Sequence, residues 1–233
     1  MRTETVQKYL ARARPLLALS LVLNVAFGQA PSASAVNSAV VRREIRASDQ
    51  SPLQVASEIL SFSGLADGVV WLGDDEPVTA VIVPEGVNTG LALTNVLASQ
   101  DKYVWRENDG VVNLLPRKGT PSLLLTKIPL FEWNSNELAG VVVGRLERLP
   151  EVVRGMSQLG YQEGLHHGGL SKPPRVGAPP ATAETPQVFV RRNITLIELL
   201  NDIAKSYPKP AIWWYEEQRP APGEAIAVVL IAN

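Results

Sequence analysis

Residues 41–118 constrain this chain most, because they hold two helix starts, each followed by runs of strand-forming residues. The first start is Ser51-Pro52-Leu53-Gln54. Ser51 is a natural cap, Pro52 suits the first helical position, and Gln54 can reach back to close a capping box. Leu53, Ala56, Ile59 and Leu60 then share one face, and Gly64 stops the helix near Phe62. The second start lies near Asn88, with Leu91, Leu93, Val96 and Leu97 at apolar spacing. Strand-type runs cover 40–45, 68–72, 78–83, 102–106 and 111–115. Asp74-Asp75-Glu76-Pro77 reads as a turn, and Asp109-Gly110 as a tight hairpin turn, since both residues tolerate positive φ. The expected order is β-α-β-β-α-β-β, ending at Pro116.

What precedes this stretch reads as an export signal. Arg2, Lys8, Arg12 and Arg14 form a basic start, and residues 15–28 are mostly apolar. Ala33-Ser34-Ala35 then matches a small-residue cleavage pattern, so cleavage is expected after Ala35. The apolar run is shorter than the roughly 20 residues of a spanning helix. Residues 1–35 are therefore expected as a signal peptide and 36–40 as a short tail. Nothing after them is long and apolar enough to cross a membrane, which makes the expected location periplasmic or secreted.

Composition narrows the class further. The chain has no cysteine, so neither disulfides nor a lipid-anchored cysteine is available. Net charge is −1 over 233 residues. Without the basic leader the remainder is mildly acidic, with scattered charges, whereas nucleic-acid binding needs a clustered basic face.

The best boundary is Lys118-Gly119-Thr120-Pro121. It divides the chain into 41–118 and 119–233. The fold class is expected to be α+β: two small domains, each a short mixed sheet with helices mainly on one face. In the second half we expect a strand over 123–131. A helix capped by Asn134 and Glu137 follows, carrying Leu138, Val141, Val142 and Leu146, and is broken by Pro150. A short helix over 151–159 precedes a Gly/Pro-rich loop over 160–187. After the loop, Thr195-Leu196-Ile197-Glu198 repeats the capping box of Ser51-Gln54, and Ile212-Trp213-Trp214 matches Val69-Val70-Trp71. A divergent second copy of the first module is one reading; a generic amphipathic helix followed by a strand is the other. The last strand, 225–232, is apolar at nearly every position, so both its faces should be covered. The cover is expected from the helix after Thr195 and from residues 123–146.

The module at about 41–117 resembles the short N-terminal domain shared by secretins and TonB-dependent outer-membrane receptors. The residues that carry the resemblance are Val87-Asn88-Thr89 leading into an Ala/Leu helix, then Tyr103-Val104-Trp105-Arg106, a Gly turn, and Val111 to Pro116. The resemblance implies docking to an envelope protein, such as an outer-membrane receptor or a secretin component. Nothing here is long enough to be the barrel or ring that the family module normally precedes.

Candidate chemistry is sparse. His166 and His167 are the two histidines, adjacent in the Gly-rich loop, where neighbours in extended chain point opposite ways. Neither a zinc set nor a Ser-His-Asp triad is supported, and no metal or cofactor is expected. Glu216-Glu217 and Asp74 to Glu76 read as solvated turn charges rather than a glycosidase pair. The aromatic run Trp213-Trp214-Tyr215 must point to both faces of a sheet. One tryptophan is expected in the core and the other exposed as a partner anchor. The sequence thus favours a non-catalytic interaction module. The alternatives are a periplasmic enzyme of unrecognised type and a self-associating structural protein.

Overall fold

The order expected for the first module is present in a computed structural model of the chain. The structure describes residues 34–73, 80–98, 100–160, 187–207, 209, 211–221 and 224–232, with side chains through 217. The loop over 161–186, with both histidines, and the acidic turn at 74–79 lie outside the described residues, as does the leader through residue 33.

A short helix, α1 (Ala35–Ser38), leads into β1 (Ile45–Ala47), α2 (Pro52–Ser63), β2 (Ala66–Trp71), β3 (Val81–Val83), α3 (Thr89–Leu97), β4 (Tyr103–Asn108) and β5 (Val111–Pro116). The capping box at Ser51 forms in both directions: Ser51 Oγ accepts from Gln54 N and Gln54 Oε1 accepts from Ser51 N. Gly64 ends α2 in the left-handed region at φ 70°. Asn88 caps α3 by accepting from Leu91 N at 2.9 Å. Leu91 itself faces solvent, while Ala92, Leu93, Val96 and Leu97 are buried. At the β4–β5 turn Asp109 and Gly110 both take positive φ, as a two-residue hairpin requires. The first strand begins later than expected, at Ile45; Val40 forms only an isolated bridge to Asn88.

The second half adds a 3₁₀ turn (Ser122–Leu125), β6 (Lys127–Asn134), α4 (Ala139–Leu146), α5 (Pro150–Gln158), β7 (Val188–Thr195), α6 (Leu196–Ser206), β8 (Ile212–Ala221) and β9 (Glu224–Ala232). The strand expected from Leu123 begins only at Lys127. Leu123 and Leu124 are both buried, and a strand would point such neighbours to opposite sides. Asn134 closes β6 rather than capping α4; Glu137 instead pairs with Arg145 at 2.7 Å. Pro150 opens α5 at its first position, where its missing donor costs nothing.

The α+β class holds, with mixed sheets, but the boundary at 118–121 does not separate two sheets. The central sheet runs β4-β5-β2-β8-β9, and β2 pairs in parallel with both β5 and β8. Strands from both halves therefore share one sheet, within one compact unit spanning Ala33–Asn233. Its faces are both covered. On one side lie α2, α3 and the β1–β3 ribbon, over Val69, Val112 and Leu114. On the other lie α4, α5, α6 and the β6–β7 ribbon, over Val70, Val111, Leu115, Trp213 and Tyr215. The expected pair of sheets with helices mainly on one face is thus replaced by one sheet covered on both, for a physical reason: Val69-Val70 and Val111-Val112 are apolar at consecutive positions, the pattern of strands buried on both sides. Residues 41–118 alone would leave Ala66, Val70, Val111 and Leu115 uncovered. At the far end α4 lies against β9, but α4 and α6 share one core, so the two elements expected to cover opposite faces of that strand stand on the same side of the sheet.

Gly68 marks the tightest point of the join. It sits beside Trp213 in register, and a Cβ there would stand 2.0 Å from the indole Cε2. The indole lies across the glycine, and Trp213 Nε1 donates to Asn201 Oδ1 at 2.7 Å. Gly68→Ala is expected to destabilise the fold by at least about 1–3 kcal/mol through overpacking. Denaturant unfolding of the full chain checks it, and an unchanged midpoint would show that Trp213 is free to move aside. Leu97→Ala, at a site 4% exposed in the first core, should cost about 2–5 kcal/mol. A melting temperature equal to that of the native chain would remove α3 from that core.

Candidate interaction surfaces

The aromatic run singled out in the sequence is not an exposed anchor. Trp213 and Tyr215 are fully buried in the second core, and Trp214 is half-buried, packed against the first. The correction follows from topology. β8 is an interior strand with cover on both faces, so alternate side chains enter both cores instead of solvent. Glu216 and Glu217 likewise lie within β8 rather than in a turn, and Tyr215 Oη donates to Glu217 Oε1 at 2.6 Å.

One surface that is exposed and apolar is the outer face of the β6–β7 ribbon, which the sequence reading missed. Inward, Ile128, Phe131 and Trp133 are buried, with Phe189 stacked on Trp133 at 5.1 Å. Trp133 Nε1 donates to Ser206 Oγ at 2.9 Å, tying the ribbon to α6. Outward, Leu130 is 49% exposed, Val188 57% and Val190 43%. Glu132 stands opposite Val190, and Arg192 opposite Leu130. An available signal was the repeated alternation of Val188-Phe189-Val190-Arg191, which reads as a strand with apolar residues on both faces. The edges of the ribbon are partly blunted: Pro129 has no amide donor, and Arg145 donates to the backbone carbonyl of Glu132.

A shallow, open groove of about 560 Å³ lies between the β4–β5 turn, β7 and α6, lined by Asp109, Gln187, Phe189, Arg191, Asp202, Lys205 and Ser206. Its charges satisfy one another. Arg191 Nε donates to Asp202 Oδ2, while Lys205 pairs with Asp109 and lies 3.2 Å from Asp202 Oδ1. Burial pulls the Lys205 ammonium down, but Asp109 and Asp202 together hold it above its ordinary value. Two cations against two carboxylates leave no surplus charge for an ionic ligand.

Among the described residues no group of three His, Asp or Glu is placed to hold a metal ion. No helix among the described residues is long and apolar enough to cross a membrane. Deep in the fold, Tyr207 is pushed up to about 12 by burial and by nearby Glu137. Asp67 is the most perturbed group. Its carboxyl is buried on the Val69 face of β2, flanked in register by Val112 and Ile212, and neither oxygen finds a hydrogen-bond partner among the described residues. Burial pushes its pKa well above the usual carboxylate range.

No family model, curated protein or solved structure matches the chain.

Asp67 makes stability depend on pH in a definite direction. The unfolded chain releases this proton above about pH 4, whereas the folded one keeps it, so stability falls as pH rises from there. Asp67→Asn should be more stable than the native chain at pH 7 and should lose this part of the slope. Thermal unfolding across pH 4–8 reads it out, and identical pH profiles for the two chains would overturn it.

Proposed function

We propose that the chain is an exported, non-catalytic protein–protein interaction module of the bacterial cell envelope, similar in role to the docking domains of secretins and TonB-dependent receptors. Three things support the reading. The leader pattern ending at Ala33-Ser34-Ala35 supports export to the periplasm or beyond. The order β-α-β-β-α-β-β over 45–116 is the one expected from the stretch whose residues carry the resemblance. The observation that carries docking is the outward face of β6–β7, where Leu130, Val188 and Val190 stand in solvent on a ribbon anchored by Trp133. Exposed apolar groups rimmed by charge, here Glu132 and Arg192, mark binding surfaces.

Self-association is a second reading, favoured by β9. This strand is apolar in sequence over 225–232 and ends the sheet order, paired only with β8 among the described residues. A free edge of that kind accepts another strand.

A photo-crosslinking residue at Val190, in the full chain expressed in an envelope-containing host, tests the proposal. A defined adduct with an outer-membrane or secretin-type protein is expected, and Val188→Glu should abolish it while leaving the melting temperature unchanged. Adducts formed only between copies of this chain would favour self-association. No adduct at all would overturn docking through the ribbon.

A further inference from the structure

Glu107, near the end of β4, gathers the start of the described chain. Ser34 Oγ donates to its carboxylate, Ala35 N donates to Oε1 at 2.8 Å, and Val36 N lies 3.4 Å from Oε2. These donors are neutral, and they span the bond at which cleavage is expected. Val36 next to them is fully buried, its side chain part of the first core with Val41, Leu53 and Leu93. Behind it, Asn88 Nδ2 donates to Asn37 O at 2.7 Å, and Ala39 O accepts from Thr89 N at 3.0 Å. Chain ends ordinarily fray unless tied down. Here the residue that would become the first one is both a core side chain and a hydrogen-bond donor to a carboxylate.

We propose that hydrolysis of the Ala35–Val36 bond by an export endopeptidase creates an ammonium that Glu107 binds, locking the mature N-terminus onto β4. Water adds across the peptide bond: Ala35 leaves with the new carboxylate, and the Val36 nitrogen keeps its hydrogen, gains another from water, and takes up a proton at neutral pH. Two neutral donors, from Ser34 and Ala35, are lost with the leader. One charged donor replaces them, and charge-assisted hydrogen bonds are roughly twice as strong as neutral ones. The carboxylate that holds the uncleaved backbone then holds the new terminus. This inference rests on the export reading above, and on no assumption about the partner.

The test uses the full gene product, exported by its own leader, with intact mass and thermal unfolding as readouts. The exported chain should begin at Val36, and Glu107→Gln should lower its melting temperature by about 2–4 °C, an effect that shrinks as salt is raised. In a second version a glycine inserted between Ala35 and Val36 moves the ammonium one residue away. There Glu107→Gln should cost measurably less. A chain that keeps Met1 would overturn export itself. A chain that is exported but starts elsewhere would overturn the processing site alone. A start at Val36 with equal, salt-independent losses in both versions would overturn the ammonium pair while leaving export standing.

Discussion

The parallel pairing of β2 with β8 is the contact on which the rest of the structure depends. It puts Gly68 beside Trp213, and the missing side chain of one makes room for the indole of the other. Through this contact two helix–strand units, α2–β2 and α6–β8, become neighbours in one sheet, with their helices on opposite faces. Each unit alone would leave half of its strand's apolar surface in water. Joined, they bury it from both sides.

That arrangement also decides where function can reside. Interior strands consume the aromatic residues: Trp213 and Tyr215 go to one core and Trp214 toward the other. The groove beside α6 is internally neutralised by Arg191, Asp202, Lys205 and Asp109. Both features are spent on holding elements together. Among the exposed features that remain are the outer side of the β6–β7 ribbon, with Leu130, Val188 and Val190, and the edge of β9, unpaired among the described residues.

Asp67 stands apart as a local contradiction. A carboxyl without a partner among the described residues, buried between Val112 and Ile212, is a cost to the strand that carries it. It lies next to Gly68 and the join with Trp213, so the least favourable residue and the tightest packing are adjacent. We have no physical account of why an acid occupies this position.

By itself the sequence determined the local structure. Both capping boxes, the Asn88 cap and the Asp109-Gly110 turn form where their residues dictate. These signals act between residues a few positions apart, where hydrogen-bond geometry and backbone sterics leave little choice. Only the tertiary structure decided what did the burying. The sequence reading drew a boundary at 118–121 and closed two sheets, whereas β8 adds to β2 across it. Strand pairing is set by which edges and faces remain free once both halves have formed, a non-local choice with no short motif to mark it. The same cause misplaced the candidate site. Whether Trp214 meets solvent or a core depends on β8 being interior, and that follows from its neighbours β2 and β9, not from the residues beside it in the chain.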